Sequence, residues 1–434
     1  FGGRMSRLRA VVAALTLGVP FVATAADVTR VATSFEDDDP FGMFIDVGFE
    51  HAQRRTKIVR EVLPTQTSGT RQYTPELWYR SGDTRLNLDV AFGISPDVEL
   101  SFGLPVVLAY DEQWNFVAGR NEDNSSITNN CLRANGSLTD PTCATLGAQQ
   151  QALFNVPLRS YRGGLGNLRF GFAWGIFNQR KDETKPNWVV GLDYEAPTAR
   201  QLNFEGLTAT SPETRGAVGD RVHKYTVYTA LSRKIGLADP YFRMHYTIPV
   251  RGPGAYTNCD NRNVEPANLG RPQNCGIEGW DRKTTGIQAP HVAGVSFGSE
   301  FLVLDRPSRQ FTLDLRAIGN YVSEGRYYNE LSGALRKLLY TSDYAQIGGQ
   351  FTIKLKLSDV LSVRGTGMML YNTDHVLTDE KIGKDTSGNG AVDLTNNPEE
   401  INPNFDFRTD FVSRRFYATE SRDFRLDLGA TFSF

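Results

Sequence analysis

Beyond its first 25 residues, this chain of 434 residues lacks any long apolar run. A helix that spans a membrane needs about 20 consecutive, mostly apolar residues. The sequence therefore excludes spanning helices after Ala26. A chain of this kind, once exported, either stays soluble or crosses a membrane as a closed β-barrel, because only helices and closed barrels satisfy every backbone group in lipid.

An excess of charge of one sign is also lacking. The chain has 47 Lys and Arg against 49 Asp and Glu, which gives a net charge of −2. Proteins that bind nucleic acids neutralise phosphates with clustered positive charge. The composition therefore predicts no nucleic-acid partner.

Recognisable catalytic motifs are lacking too. The chain has no Gly-Lys phosphate loop, dinucleotide fingerprint or Gly-x-Ser-x-Gly elbow. None of the 5 histidines is paired at metal-ligand spacing. His245 with Asp193 is the one candidate for hydrolytic chemistry, and a structural role for His245 is the favoured interpretation. We therefore expect no enzyme, with a barrel hydrolase as the weakest alternative.

Cysteine is scarce, and the 4 cysteines form two close pairs in Gly/Asn/Pro-rich segments. Export permits disulfides, so we expect Cys131 to bond Cys143 and Cys259 to bond Cys275. Two pairs of free thiols are the alternative. Metal binding by these cysteines is not expected, because they lack a short Cys-x-x-Cys spacing and a histidine partner.

The N-terminal region has the features of an export signal. Arg7 and Arg9 precede the apolar run 10–22, and Ala23-Thr24-Ala25 precedes Ala26. These are the charged region, apolar region and cleavage site of a signal peptide. We therefore predict a signal peptide over 5–25 after an upstream translation artefact at 1–4. A periplasmic N-terminal segment at 26–40 and a barrel at 41–434 would follow.

The last eleven residues alternate strictly. Between Phe424 and Phe434, the even positions are large and apolar except for Ala430, and the odd positions are polar or Gly. Since successive side chains of a strand face opposite sides, this strand has one apolar and one polar face. Such an ending resembles the closing strand of a bacterial outer-membrane barrel, in which the terminal aromatic residue, here Phe434, is an assembly signal for the outer-membrane assembly machinery.

The same alternation recurs along the chain. Twelve segments carry it: 43–49, 86–94, 98–108, 168–176, 188–194, 225–231, 242–250, 293–303, 311–321, 351–357, 361–371 and 424–434. Short connections near 95–97, 180–186, 235–239, 305–309 and 358–359 alternate with long ones at 63–72, 115–160, 198–219, 251–287, 323–340 and 372–417. Short periplasmic turns and long outer loops are typical of outer-membrane barrels. The fold class predicted is therefore all-β, an antiparallel transmembrane β-barrel of about 12 strands.

Charged residues occupy the other face of these segments. Because charge on the lipid face costs about 2–4 kcal/mol at the midplane, we expect these side chains to line the lumen. One interpretation is a ladder of ion pairs that holds the wall, and the other is a solute path. The predicted lumen residues are Asp46, Glu50, Arg85, Asp89, Glu99, Arg169, Asp193, Glu195, Lys224, Arg243, His245, Asp314, Arg316, Lys354, Lys356, Arg364, Arg425 and Asp427.

Three prolines lie near the outer ends of predicted strands: Pro105, Pro197 and Pro249. Proline removes a donor from the ladder, and a closed barrel has no free edge. We expect these prolines to end or bulge their strands. A lateral opening in the wall is the functional alternative.

A family resemblance rests on short motifs. Gly93-Ile94-Ser95-Pro96-Asp97-Val98-Glu99-Leu100 with Leu104-Pro105, Gly164-Leu165-Gly166-Asn167-Leu168-Arg169, Ala196-Pro197-Thr198 and the segment 323–332 are similar to motifs of one family. This family is the outer-membrane transporters grouped with phenol-degradation MetA-pathway proteins. The resemblance implies a barrel that passes small, often apolar compounds. One departure is that fatty-acid-type channels carry an N-terminal plug, whereas 26–40 is expected to be too short to fill a lumen.

One loop resembles a calcium-binding loop. Asp385, Ser387, Asn389 and Asp393 stand at loop positions 1, 3, 5 and 9, with Gly390 at position 6. Position 12 is Asn396, so the usual bidentate Glu is missing, and Glu399 or Glu400 would have to replace it. The alternative is a surface loop rich in turn residues. Calcium is the one cofactor that the sequence suggests.

These observations favour a passive outer-membrane channel or facilitator for uptake or efflux of a small solute, which the family resemblance implies is often apolar. The lipid bilayer, the assembly machinery and the solute are the expected partners. A closed barrel that acts in structure or surface recognition through its disulfide-clamped outer loops is the alternative. The width of the lumen decides between them, since eight strands leave a lumen filled by side chains and sixteen leave a channel.

Overall fold

The computed structural model describes residues 26–35, 41–62, 72–128, 152–202, 204, 211–261, 274–276, 279–306, 309–393 and 396–434. The predicted signal peptide and the pair Cys131 and Cys143 lie outside these residues. Within the described ranges, no helix is both long enough and apolar enough to cross a membrane.

Twelve antiparallel strands form a closed barrel. They are β1 (Met43–Val62), β2 (Gln72–Ser95), β3 (Val98–Phe116), β4 (Leu168–Phe177), β5 (Asn187–Ala196), β6 (Val222–Ser232), β7 (Ala238–Arg251), β8 (Val292–Arg306), β9 (Arg309–Val322), β10 (Tyr344–Lys356), β11 (Leu361–Asn372) and β12 (Phe416–Ser433). Each strand pairs with its neighbours in sequence, and β12 pairs with β1 to close the ring. All twelve predicted segments coincide with these strands, and only 351–357 and 424–434 extend one residue beyond them. The predicted fold is confirmed.

Shorter elements lie in the long connections. Strand Leu158–Leu165 pairs with the outer half of β3, Gly325–Tyr327 pairs with Leu339–Thr341, and His375–Val376 pairs with β12. The short helices are Asp27–Thr29, Asn258–Asn261, Arg282–Thr285, Ser332–Leu335 and Pro398–Glu400.

The seam between the first and last strands includes the terminal residue. The backbone nitrogen of Met43 donates to the carbonyl of Phe434 at 3.1 Å, and the nitrogen of Phe434 donates to the carbonyl of Met43 at 2.9 Å. Phe434 therefore completes the closing ladder with an exposed ring. Its role as an assembly signal stays a prediction.

The outside of the barrel is apolar. Leu88, Leu192 and Leu315 are 41%, 42% and 53% exposed, as are many large apolar residues that share their face. Exposing this much apolar surface to water is unfavourable, whereas hydrocarbon accepts it. The protein is therefore a barrel of the Gram-negative outer membrane, with its short turns in the periplasm.

The buried apolar core lies inside the outer end of the barrel. Ile58 of β1, Leu77 of β2 and Trp114 of β3 pack there against Leu331 and Leu377 of the outer loops. β1, β2, β3 and β12 are long enough, at 20, 24, 19 and 18 residues, to continue beyond the membrane and hold these loops.

The three prolines differ in position. Pro197 follows the last residue of β5, as expected for a strand end. Pro105 and Pro249 lie inside their strands and do not end them. The pairing of β2 with β3 has a register shift between Val107 and Ala109, just after Pro105, whereas the pairing of β6 with β7 is regular at Pro249, so the expectation of a strand end or bulge is wrong for Pro249. Each of these two prolines lies where the hydrogen-bond ladder to a neighbouring strand stops. For Pro249, the pairing of β7 with β8 has already ended at Thr247. For Pro105, the carbonyl faces the break between strand Leu158–Leu165 and β4, where it accepts from the Gly166 nitrogen at 2.9 Å. Proline is tolerated at these points because no partner needs its missing donor.

Candidate functional site: the lumen and its two inserts

The pairing register places the predicted lumen residues on one face of the wall. Asp46 is opposite Asp89, and Glu195 is opposite both Arg169 and Lys224. These residues alternate along the strands with the exposed apolar row that contains Leu88 and Leu192. They therefore face inward, and their role in a solute path stays a prediction.

Most of these charges are paired. Arg364 bonds Asp46 and lies 3.1 Å from Asp427, so one cation links β1, β11 and β12. Other pairs join Arg169 to Asp89 (3.0 Å), Lys224 to Glu195 (3.0 Å), Arg316 to Asp314 (3.3 Å), Arg425 to Glu50 (3.6 Å) and Arg243 to Asp193 (3.9 Å). The interpretation as ion pairs that hold the wall therefore describes most of the set.

Sequence reasoning missed several of the partners. Arg85 bonds Asp83 on its own strand, Lys354 lies 2.8 Å from Glu300, and Lys356 lies 3.0 Å from Asp359 in a periplasmic turn. Asp83 and Glu300 occupy the inward positions of β2 and β8, so the same alternation that selected the others would have found them.

The middle of the lumen contains a cavity of about 620 Å³. Charged groups on its walls include Arg54, Arg162 and Glu112, and tyrosines line its outer part. A second cavity, of about 430 Å³, lies among Asp89, Arg169, Asp193, Glu195 and Lys224, and Thr226 lines both cavities. The twelve-stranded wall thus leaves internal space that its own side chains do not fill.

The N-terminal insert, residues 26–34, lies across the periplasmic end of the lumen. Lys354 of β10 lies 2.6 Å from Asp27, the hydroxyls of Thr29 and Ser232 are 2.7 Å apart, and the nitrogen of Ala32 donates to Glu99 at 2.6 Å. Residues 26–34 cross the mouth and do not fill the barrel, in keeping with the expectation that 26–40 is too short to fill a lumen. The sequence did not predict that so short a segment would lie across the mouth.

The wall is shaped to accept the N-terminal insert. A Cβ added at Gly93 would lie 2.6 Å from the carbonyl carbon of Thr33, so only glycine permits this approach. This contact could not be predicted from the sequence, since Gly93 fits the inward row of β2 without it.

The outer insert, residues 323–343, packs inside the other end of the lumen. The Trp114 indole donates to the carbonyl of Glu330 at 2.8 Å, and Arg54 bonds the Glu330 carboxylate at 2.9 Å. A buried pair of Arg326 with Glu380 ties this insert to the loop between β11 and β12. The long outer loops thus fold inward and narrow the lumen.

A disulfide clamps the loop between β7 and β8. Cys259 and Cys275 are bonded, with their Cα atoms 5.6 Å apart and a sequence separation of 16. The predicted local pairing is confirmed for this pair. The Asn258 side chain, next to it, donates to the carbonyl of Leu338 in the outer insert at 3.0 Å.

The suggested calcium loop is stabilised by backbone amides. Asp385 accepts from Gly388 and Gly390, both at 2.7 Å. Glu400 accepts from Thr386, Ser387 and Asp393, and these amides lower its pKa to about 2. The described residues include no group of three His, Cys, Asp or Glu side chains arranged to hold a metal. Calcium binding by Asp385, Ser387, Asn389 and Asp393 stays a prediction.

Four of the histidines hydrogen-bond hydroxyl or backbone carbonyl oxygens among the described residues. His51 bonds Thr84, His223 bonds Tyr194, His291 bonds Tyr246, and His375 bonds the carbonyl of Thr373. His245 lines the larger cavity beside Arg243. A hydrolytic His–Asp pair, as considered for His245 and Asp193, is not present among the described hydrogen bonds.

One outer-loop carboxyl titrates near neutrality. Burial raises the pKa of Asp410 to about 7, against the lowering effect of Lys337, and the carboxyl accepts from the backbone nitrogens of Asp406 and Glu380. The folded pKa exceeds the unfolded value, so its contribution to stability is complete below about pH 4 and is lost as pH rises through about 7.

We therefore expect the loop between β11 and β12 to be better ordered at pH 5.5 than at pH 8.5, by on the order of tenfold in opening equilibrium. Hydrogen exchange of 377–415 at the two pH values, corrected for intrinsic rates, measures this. Asp410→Asn does not titrate and should remove the difference, although its amide has a single acceptor oxygen and keeps one of the two backbone contacts. A pH dependence that survives in this variant would contradict the assignment.

No known protein family matches the chain, and no curated protein matches it. Among solved structures, it is similar to an outer-membrane channel from Pseudomonas putida F1, with 10% identity over 95% of this chain and 99% of that chain, and a TM-score of 0.43. A FadL homologue from Pseudomonas aeruginosa has 8% identity over 90% of each chain, with a TM-score of 0.35. The outer-membrane protease OmpT from Escherichia coli has 7% identity over 94% and 100%, with a TM-score of 0.26.

Proposed function

We propose that this outer-membrane barrel is a passive channel for a small, partly apolar solute, closed at rest by its two inserts. The observation that carries the proposal is the cavity of about 620 Å³ in the lumen. A barrel with a purely structural role has no need of space between its walls, and ligand sites in proteins span about 300–1,000 Å³. Transport would be diffusion down a gradient, with no energy-coupling or catalytic group required.

The lining suggests the kind of solute. Ile318 of β9 and Met368 and Leu370 of β11 form an apolar strip on one wall of the cavity. Tyr327 and Tyr328 of the outer insert lie at its outer end, and their rings present both apolar and hydroxyl surface. This combination favours a compound with an apolar body and few polar groups. The resemblance to transporters grouped with MetA-pathway proteins stays a hypothesis.

The charges favour weak ion selectivity. Arg54, Arg162 and Arg316 each have a carboxylate partner within 3.3 Å, so the local fields largely cancel. Charged clefts select ions when one sign dominates. Neither sign dominates here.

Planar-bilayer recording of the refolded protein tests the proposal. We expect small conductance steps and a reversal potential near zero in a salt gradient. Steep selectivity would mean that other charges line the path. Silence from protein whose insertion has been verified would favour the alternative, a closed barrel that acts through its outer loops.

A further inference from the structure

A buried carboxylate without an ion pair among the described residues lies where the N-terminal insert begins. Asp239, the second residue of β7, is only 6% exposed, and neither of its oxygens has a hydrogen bond of normal geometry among the described residues. An isolated buried carboxylate costs several kcal/mol. Such a group needs a cation or a protonated donor beside it.

The neighbouring carboxylates all have cations. Lys354 forms ion pairs with both Asp27 and Glu300, and Arg316 forms an ion pair with Asp314. Glu300 is directly opposite Asp239 on one side and Asp314 on the other, so three acidic residues lie in one row across β7, β8 and β9. Lys234 and Lys354 act on Asp239 from a distance, but neither forms an ion pair with it within the described part of the chain.

Two groups face Asp239: the backbone nitrogen of Ala26, which is 1% exposed, and the hydroxyl of Ser232, which is neutral and supplies no charge. The Ala26 carbonyl is held by the nitrogen of Thr29 at 2.8 Å, and the next nitrogen, of Asp27, donates to Glu300 at 2.8 Å. These two hydrogen bonds hold the backbone around Ala26 in place, with the Ala26 nitrogen directed at the Asp239 carboxylate. Before cleavage this nitrogen is a neutral amide.

The sequence predicts cleavage between Ala25 and Ala26. Cleavage there converts the Ala26 amide into an α-amino group, which is a cation at neutral pH because its ordinary pKa is about 8. We propose that the mature N-terminal ammonium of Ala26 forms a buried ion pair with Asp239 and anchors the N-terminal insert in the lumen. Signal removal would then complete the closed state, because the cation does not exist in the precursor.

This inference rests on the closed state in the proposed function, yet its first test does not use conductance. Intact mass should show that the protein purified from outer membranes begins at Ala26. A water-soluble acylating reagent near pH 7 then reports how accessible the α-amino group is, through mass spectrometry of the N-terminal peptide. We expect labelling in Asp239→Asn to be at least about tenfold faster than in the wild type, because a broken buried pair no longer holds the insert.

Two further variants of the chain show whether the labelling rate depends on the ion pair itself. Asp359→Asn removes an exposed carboxylate from a turn at the same periplasmic end and should label as the wild type does. A refolded chain with one extra glycine before Ala26 keeps every side chain but displaces the ammonium by about 3.5 Å, and it should label as rapidly as Asp239→Asn.

Equal labelling of the wild type and Asp239→Asn, or a mature N-terminus at another residue, would overturn the ion pair. Either result would leave the channel proposal intact, because conductance is measured separately. The opposite result is an absence of conductance in bilayers together with slow labelling of the α-amino group. It would support the ion pair between Ala26 and Asp239 and contradict the channel proposal.

Discussion

Gly93→Ala is expected to release the N-terminal insert and raise single-channel conductance by on the order of threefold, since the insert covers the periplasmic mouth. The added Cβ would lie 2.6 Å from the carbonyl carbon of Thr33 and 2.8 Å from the nitrogen of Ser34, both backbone atoms that cannot rotate aside. The insert must therefore move, whereas the barrel strand is held by ladders on both sides.

Gly367→Ala is the matched control. Gly367 lies in β11, and a Cβ there would meet nothing within 4 Å. It carries the same change in β-strand propensity without the collision, so its conductance should equal that of the wild type. A chain that lacks 26–35 should conduct at least as well as Gly93→Ala. Unchanged conductance in both altered proteins would locate the constriction at the outer insert instead.

The wall of the barrel was predictable because lipid and lumen impose opposite demands on alternate residues. Leu88 and Asp89 show this in two adjacent positions, one against hydrocarbon and the other paired with Arg169. That contrast repeats in all twelve strands, so the strand number and the direction of each side chain followed from the pattern alone.

The inserts were not predictable by the same means. In the outer parts of the long strands, Ile58 and Val59 are both apolar and both buried, because loops cover the inside and neighbours cover the outside. Alternation ends where both faces are covered, so strand ends and loop contacts left no periodic signal. The N-terminal insert is held by single contacts such as Ala32 with Glu99, which depend on a pairing distant in sequence.

Leu88→Arg, Leu192→Arg and Leu315→Arg should each strongly reduce the folded fraction of refolded protein. All three side chains are exposed on the apolar outer face, at 41%, 42% and 53%. An arginine there costs about 2–4 kcal/mol near the bilayer midplane, which is a factor of about 30 or more in the folding equilibrium. Heat-modifiable mobility on gels after refolding into lipid vesicles measures the folded fraction.

The comparison needs an inward-facing variant of similar exposure. Arg85→Gln is suitable, because Arg85 is 40% exposed in the lumen and the glutamine amide can still donate to the Asp83 carboxylate. Asp314 is less suitable, because it is 1% exposed and accepts from Tyr241 and Arg316. We expect Arg85→Gln to fold nearly as well as the wild type. A shift of one residue in register exchanges the two faces of a strand. Equal folded fractions for Leu88→Arg and Arg85→Gln would therefore contradict the register of β2 and the inward direction of its charges, Arg85 and Asp89.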